Sequence, residues 1–165
     1  MAEPEGFADT FVLLYRQIHD ELRQEVSALD PQALNWVPGP DTSSISTLVV
    51  HLLGSENEVL QIVRGLLSDR DRASEFSAQV EDPEDLLSRI NHTDRLLERV
   101  GPQITDEDLA ILRGVRPTAA VRNRAPRTGL FWLLNSYGHA REHLAQLQLT
   151  KQLFDEAHDS EAPDG

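Results

Sequence analysis

Near the C-terminal end of the chain, two histidines stand four residues apart in the stretch His139-Ala140-Arg141-Glu142-His143. On a helix, an i, i+4 pair is separated by about 40° around the axis and one turn along it, so both rings can converge on one ion. On the helical wheel Leu147, Ala140, Leu133 and Leu144 fall beside the pair, which places both histidines at the rim of the apolar stripe. His51 occupies a similar rim on an earlier segment whose stripe reads Leu48, Leu52, Val59, Ile62, Val63 and Leu66. If the two helices are neighbours, His51, His139 and His143 form a three-imidazole site with no negative ligand. Such a set suits Zn²⁺ or Ni²⁺, and also Fe²⁺ or Cu²⁺, and leaves a coordination position open for water or substrate. The chain has no cysteine, so imidazole, carboxylate and water are the only donors available. Most pairs at this spacing are surface or satisfied core histidines, and periodicity does not establish that the two helices touch.

Other groups could serve such a site. Glu142 lies near His139 on the wheel and is a candidate base or ligand-orienting group. Asn135, one turn before His139, is a candidate hydrogen-bond partner for a ligand. Between residues 113 and 127 the chain carries arginines at 113, 116, 122, 124 and 127 and no acid. Of these, Arg122, Arg124 and Arg127 are candidates for binding an anionic substrate by bidentate contacts. The competing reading is that they offset the acidic helices. His19, His92 and His158 read as solvated, although His19 would approach the pocket mouth if its face turns inward. Trp36, Trp132 and Tyr137 read as packing groups.

Four periodic segments must position these residues. The first spans Phe7 to Leu29, with Phe7, Phe11, Leu14, Tyr15, Ile18, Leu22 and Val26 at three- and four-residue steps. Pro31 and the run Asn35-Trp36-Val37-Pro38-Gly39-Pro40 close it in a long turn. The second begins at a Ser43 or Ser44 cap and runs to about Leu67. The third opens at Asp82-Pro83-Glu84-Asp85, a cap, a first-turn proline and acids that suit the helix dipole, and ends before Gly101-Pro102. A short helical turn is expected from Asp106 to Leu112, capped by Thr105. The fourth segment starts after Thr128 and runs to about Phe154. No segment shows strand alternation, so the expected fold is an all-α four-helix bundle over residues 1–154, followed by an acidic disordered tail over 155–165.

The net charge of −13 argues against nucleic acid as a partner, since phosphate binding needs a basic surface. No apolar run reaches membrane-spanning length, and Met1 to Gly6 read MAEPEG, which lacks the pattern of a signal peptide. A cytoplasmic protein is expected, with a small-molecule substrate and no membrane.

The order LNWVPGPDTSSISTLVVHLLGSE, then GLFWLLNSYGHAREHLAQLQLT, resembles the DinB/YfiT-like superfamily of metalloproteins. Trp36, Pro38 and Pro40 match its loop, His51 its helix-two ligand, and His139, His143 and Gln146 its last stretch. Ala145 departs from the pattern where many relatives have glycine. The resemblance covers roughly Phe7 to Leu153. It implies a four-helix bundle with a long crossover connection, contact between the second and fourth helices, and a homodimer. It further implies a metal-dependent low-molecular-weight-thiol S-transferase or isomerase. The alternative is a non-catalytic, stress-related bundle that binds metal or ligand.

Overall fold

The computed structural model describes residues 6–68, 70–114 and 125–159. In chain order the elements are α1 (Phe7–Val26), α2 (Pro31–Asn35), α3 (Ile45–Val63), α4 (Arg72–Glu75), α5 (Pro83–Val100), a 3₁₀ turn (Gly101–Gln103), α6 (Asp106–Ala110), β1 (Leu112–Arg113), β2 (Arg127–Thr128) and α7 (Gly129–Asp159). The long helices α1, α3, α5 and α7 form the bundle, each packed against two others: α1 on α5 and α7, α3 on α5 and α7.

Pair contacts set the directions. Arg16 meets Glu98, His19 meets Asp94 and Arg23 meets Asn91, so α1 and α5 run antiparallel. Tyr15 meets Ser136, Glu21 meets Arg141 and Glu25 meets Lys151, so α1 and α7 run parallel. Asn57 reaches Thr93 on α5, and Arg64 reaches Gln103 just beyond it, so α3 and α5 are parallel neighbours. Two consecutive helices that lie parallel require the chain to travel back along the bundle. The described residues between α3 and α5, 64–68 and 70–82, do so, carrying α4, and this is the long crossover that the family resemblance implies. With α1 and α7 running opposite to α3, the early turns of α3 face the middle and later turns of α7. The adjacency that periodicity left open is therefore present.

Local chemistry explains the boundaries. Ser44 caps α3, its side chain accepting from the Thr47 amide. α3 ends at Val63 rather than near Leu67 because Gly65 turns left-handed at φ 71°, with the Leu66 amide donating back to Gln61 O. Leu66 consequently leaves the apolar stripe and is exposed. The expected turn after α1 contains the short helix α2, capped by Asp30, which accepts from the Ala33 amide at 2.8 Å. Asp82 caps α5 with Pro83 in its first turn, and Thr105 and Asp108 form a reciprocal capping box on α6. The ladder between β1 and β2 is two residues long on each side, too short for alternation to register in the sequence.

α7 continues past Phe154 to Asp159, into the stretch that composition assigns to a disordered tail. The added turn is held by aromatic contact. The His158 ring lies 4.0 Å from Phe154, and both meet Trp36, at 6.2 and 5.7 Å respectively. His158 Nδ1–H donates to Phe154 O at 2.8 Å, so this histidine is a docking group rather than a solvated one. Residues 160–165 lie outside the described residues.

The core is apolar and continuous, including Tyr15, Ile18, Leu22, Leu52, Leu60, Leu86, Ile90, Leu133 and Leu144. Trp132 is buried, its indole N–H donating to Arg113 O, and Tyr137 packs on the core, as expected for both. Among the described residues, no helix is long and apolar enough to cross a membrane.

Candidate metal centre

His51 on α3 and His139 and His143 on α7 come together, each offering a ring nitrogen within 4.8 Å of the other two. Ring centroids lie 5.2 Å apart for His51 and His139, 5.1 Å for His51 and His143, and 4.2 Å for His139 and His143. His51 is buried, while the α7 pair is half-buried, so the group sits at the edge of the core with one open side.

Outer hydrogen bonds choose which nitrogen faces inward in two of the three rings. His51 Nδ1 lies 2.8 Å from Glu75 Oε2. An ionised carboxylate only accepts, so Nδ1 carries the proton and the Nε2 lone pair is left for the centre. His143 Nδ1 lies 2.7 Å from the Gln146 side-chain oxygen, which fixes the same tautomer. His143 Nε2 then stands 2.9 Å from His139 Nε2. Two imidazole nitrogens facing each other at that distance either share a proton or share a cation. Burial, reinforced by nearby His51, holds His143 below the ordinary imidazole range, which favours the neutral, ligand-competent form.

Glu75 is itself anchored. Arg70 donates from Nε to Oε1 at 2.6 Å and from Nη2 to Oε2 at 2.7 Å, and its Nη1 reaches Glu58 on α3 at 2.8 Å. Burial alone would raise the Glu75 carboxyl, but hydrogen bonds from Arg70 and His51 outweigh it and hold the group below its usual range. Phe76 covers the His51 ring from 4.8 Å, and Arg72 lies over Phe76 in turn. The support is thus built almost wholly from the crossover, residues 70–76, which sequence reasoning passed over. Its one signal was Asp71, which caps α4 through the Ala73 and Ser74 amides. A four-residue helix is too short to display periodicity.

The other candidate residues fall differently. Glu142 is exposed on α7, although its charge acts on His143. Asn135 is exposed, and the hydrogen-bonding roles expected for it fall to Glu75 and Gln146. Arg127 is exposed over the Phe131 ring just before α7, and the ten helical steps from Gly129 to His139 put roughly 15 Å of helix between it and the histidines. Arg122 and Arg124 lie outside the described residues. Arg113 pairs with Asp108.

His19 reverses its expected exposure. It is fully buried, with Nε2 at 2.8 Å from Glu56 and Nδ1 at 2.9 Å from Asp94, the latter also held by Arg23. Burial opposes its charge, but the Glu56 carboxylate and the two hydrogen bonds overcome this and raise its pKa to about 9. The hydrogen bond from His19 takes the Asp94 carboxyl down to about 2. Full burial keeps Glu56 above its usual range. A groove of about 620 Å³ opens between α3, α5 and the crossover, with Asn57, Gln61, His92, Arg70 and Glu75 among its walls, and none of the three clustered histidines lines it.

The sequence matches the DinB superfamily over residues 14–147, and the chain belongs to that superfamily. A solved structure described as a conserved protein from Enterococcus faecalis shares the fold with a TM-score of 0.71. It is 15% identical to this chain, and the match covers 89% of this chain and 96% of that one. No curated protein matches the chain.

Proposed function

We propose that this chain is a divalent-metal-dependent transferase or isomerase of low-molecular-weight thiols, with His51, His139 and His143 as metal ligands. The convergence of three imidazoles, with the inward nitrogens of His51 and His143 selected by outer hydrogen bonds, supports this reading most strongly. A divalent cation held there, Zn²⁺ or Ni²⁺ foremost and Fe²⁺ or Cu²⁺ by the same donor preference, supplies Lewis acidity and lowers the pKa of a thiol that it binds. Three neutral ligands leave the full double charge of the ion available for that purpose.

The chain's own residues do the remaining work. Glu75 and Arg70 keep His51 in one tautomer and orientation. Phe76 closes one side of the His51 ring to water. The half-buried α7 pair leaves the approach for substrate. In the transfer, the thiol gives up its proton, its sulfur forms a bond to an electrophilic carbon, and the leaving group departs with the bonding pair. Glu142, beside His143 and open to solvent, is the candidate acceptor of that proton.

The test is a panel of low-molecular-weight thiols against a chromogenic chloro-dinitrobenzene electrophile with zinc- or nickel-loaded protein. Conjugation that disappears in a folded His51→Ala variant is the expected result. Conjugation unchanged in that variant overturns the proposal. Absence of turnover with every thiol, alongside stoichiometric metal, favours the alternative of a non-catalytic metal-binding bundle.

A further inference from the structure

Gly54 stands on α3 three residues after His51, in the interior of a helix where glycine is an unfavourable choice. No turn, cap or left-handed backbone requires it there, since among the described residues the positive φ belongs to Gly65. What occupies the space a side chain would take is a carboxylate. A Cβ on Gly54 would stand 2.2 Å from Glu75 Oε1 and 3.0 Å from its Cδ, with Arg70 Nε at 3.4 Å. Glu75 reaches over the backbone of α3 at the one place where nothing projects. From there its other oxygen meets His51 Nδ1 at 2.8 Å.

We infer that Gly54 is a positioning residue for the His51 ligand: its missing side chain is the slot that seats the Glu75 carboxylate, which in turn fixes the Nδ1–H tautomer of His51. The inference rests on the metal-ligand reading given above and adds a residue that touches neither ion nor substrate. Its logic is local. Glu75 ends a flexible side chain, so an added methyl group would push the carboxylate aside rather than break the helix. Displacement separates Oε2 from Nδ1–H and loosens the fork from Arg70, whose Nη2 shares Oε2 with His51. With the carboxylate gone, Arg70 Nη2, already 3.2 Å from His51 Nδ1, can donate to that nitrogen. That contact selects the opposite tautomer, with the proton on Nε2 and no lone pair for a metal.

Two properties should therefore separate in Gly54→Ala. Thermal stability of the metal-free protein changes little, because the helix preference of alanine offsets the loosened Arg70–Glu75 fork. Affinity for Zn²⁺, measured by competition with a chromogenic chelator, falls by about 10-fold or more, the size expected when the outer partner of a ligating histidine is lost. Glu75→Gln should lower affinity in the same way, and the double variant should be no weaker than Glu75→Gln alone. A second readout needs no metal. Imidazole ¹⁵N shifts of His51 at neutral pH should report a protonated Nδ1 in the parent and a shift toward protonated Nε2 in Gly54→Ala. Zinc affinity within twofold of the parent together with an unchanged His51 tautomer overturns the inference. If the parent itself binds no zinc, the metal reading fails, and the ¹⁵N shifts alone decide the role of Gly54.

Discussion

Two histidine clusters lie in this bundle, and they solve opposite electrostatic problems. Around His19, one imidazole stands between two carboxylates, and both ring nitrogens are taken at 2.8 and 2.9 Å. The ring is itself the cation, the charges are matched inside the protein, and no nitrogen is left for anything else. Around His51, three imidazoles turn nitrogens toward one another, and the nearest carboxylate, Glu75, lies behind a ring rather than among them. Among the described residues the grouped donors are imidazoles alone, a set that suits a cation. Both clusters join helices across the core, but only the second leaves lone pairs for an added ion. A histidine in a bundle core is therefore classified by what its second nitrogen meets, and burial alone does not separate the two cases.

The contrast can be broken from either side. The largest effect is expected for His19→Ala, which leaves Glu56 and Asp94 without their shared cation. Removing one partner of a buried charge pair costs about 3–5 kcal/mol, so urea unfolding should show a loss of that order. Next comes the response to zinc. At a free concentration about 100 times its dissociation constant, Zn²⁺ should add about 2.7 kcal/mol to the stability of the parent, and none to that of His51→Ala. Equal stabilisation of both proteins would show that the ion binds elsewhere.

The pH dependence is a third handle. The folded pKa of His19 is raised from 6.5 to about 9, so its contribution is fully present below pH 6.5 and is lost as pH rises toward about 9. For Asp94 the folded value is lowered from 3.8 to about 2, so its contribution is present above pH 3.8 and is lost as pH falls toward about 2. Melting temperatures should decline across both windows, and His19→Gln should flatten the alkaline decline. The smallest effect belongs to Glu142→Gln. An exposed carboxylate should change stability by less than about 0.5 kcal/mol while leaving zinc affinity nearly unchanged, which calorimetry can check.

Much of this was legible in the sequence because helical periodicity and caps are local signals. Ser44, Asp82 and Thr105 mark the starts of α3, α5 and α6, and the rim positions of His51, His139 and His143 follow from counting residues. What escaped depends on contacts between distant segments. His19 looked solvated beside Gln17 and Asp20, yet Glu56 and Asp94, 37 and 75 residues away, make its burial tolerable. Glu75 lies in a connection without helical periodicity, and its role exists only because the crossover returns over α3. Gly65 shortened α3 through a left-handed φ that a stripe of leucines conceals. The terminal turn of α7 formed because Trp36 gives Phe154 and His158 an aromatic neighbour. Composition alone cannot report that neighbour.

In the proposed centre one divalent ion joins α3 and α7 through three imidazoles. Crystals grown with Zn²⁺ and measured on both sides of the zinc absorption edge test it directly. One anomalous peak per chain is expected, about 2.0–2.1 Å from a nitrogen of each of His51, His139 and His143. A peak at another site, or an ion bound by the α7 pair with the His51 ring turned away, would contradict it.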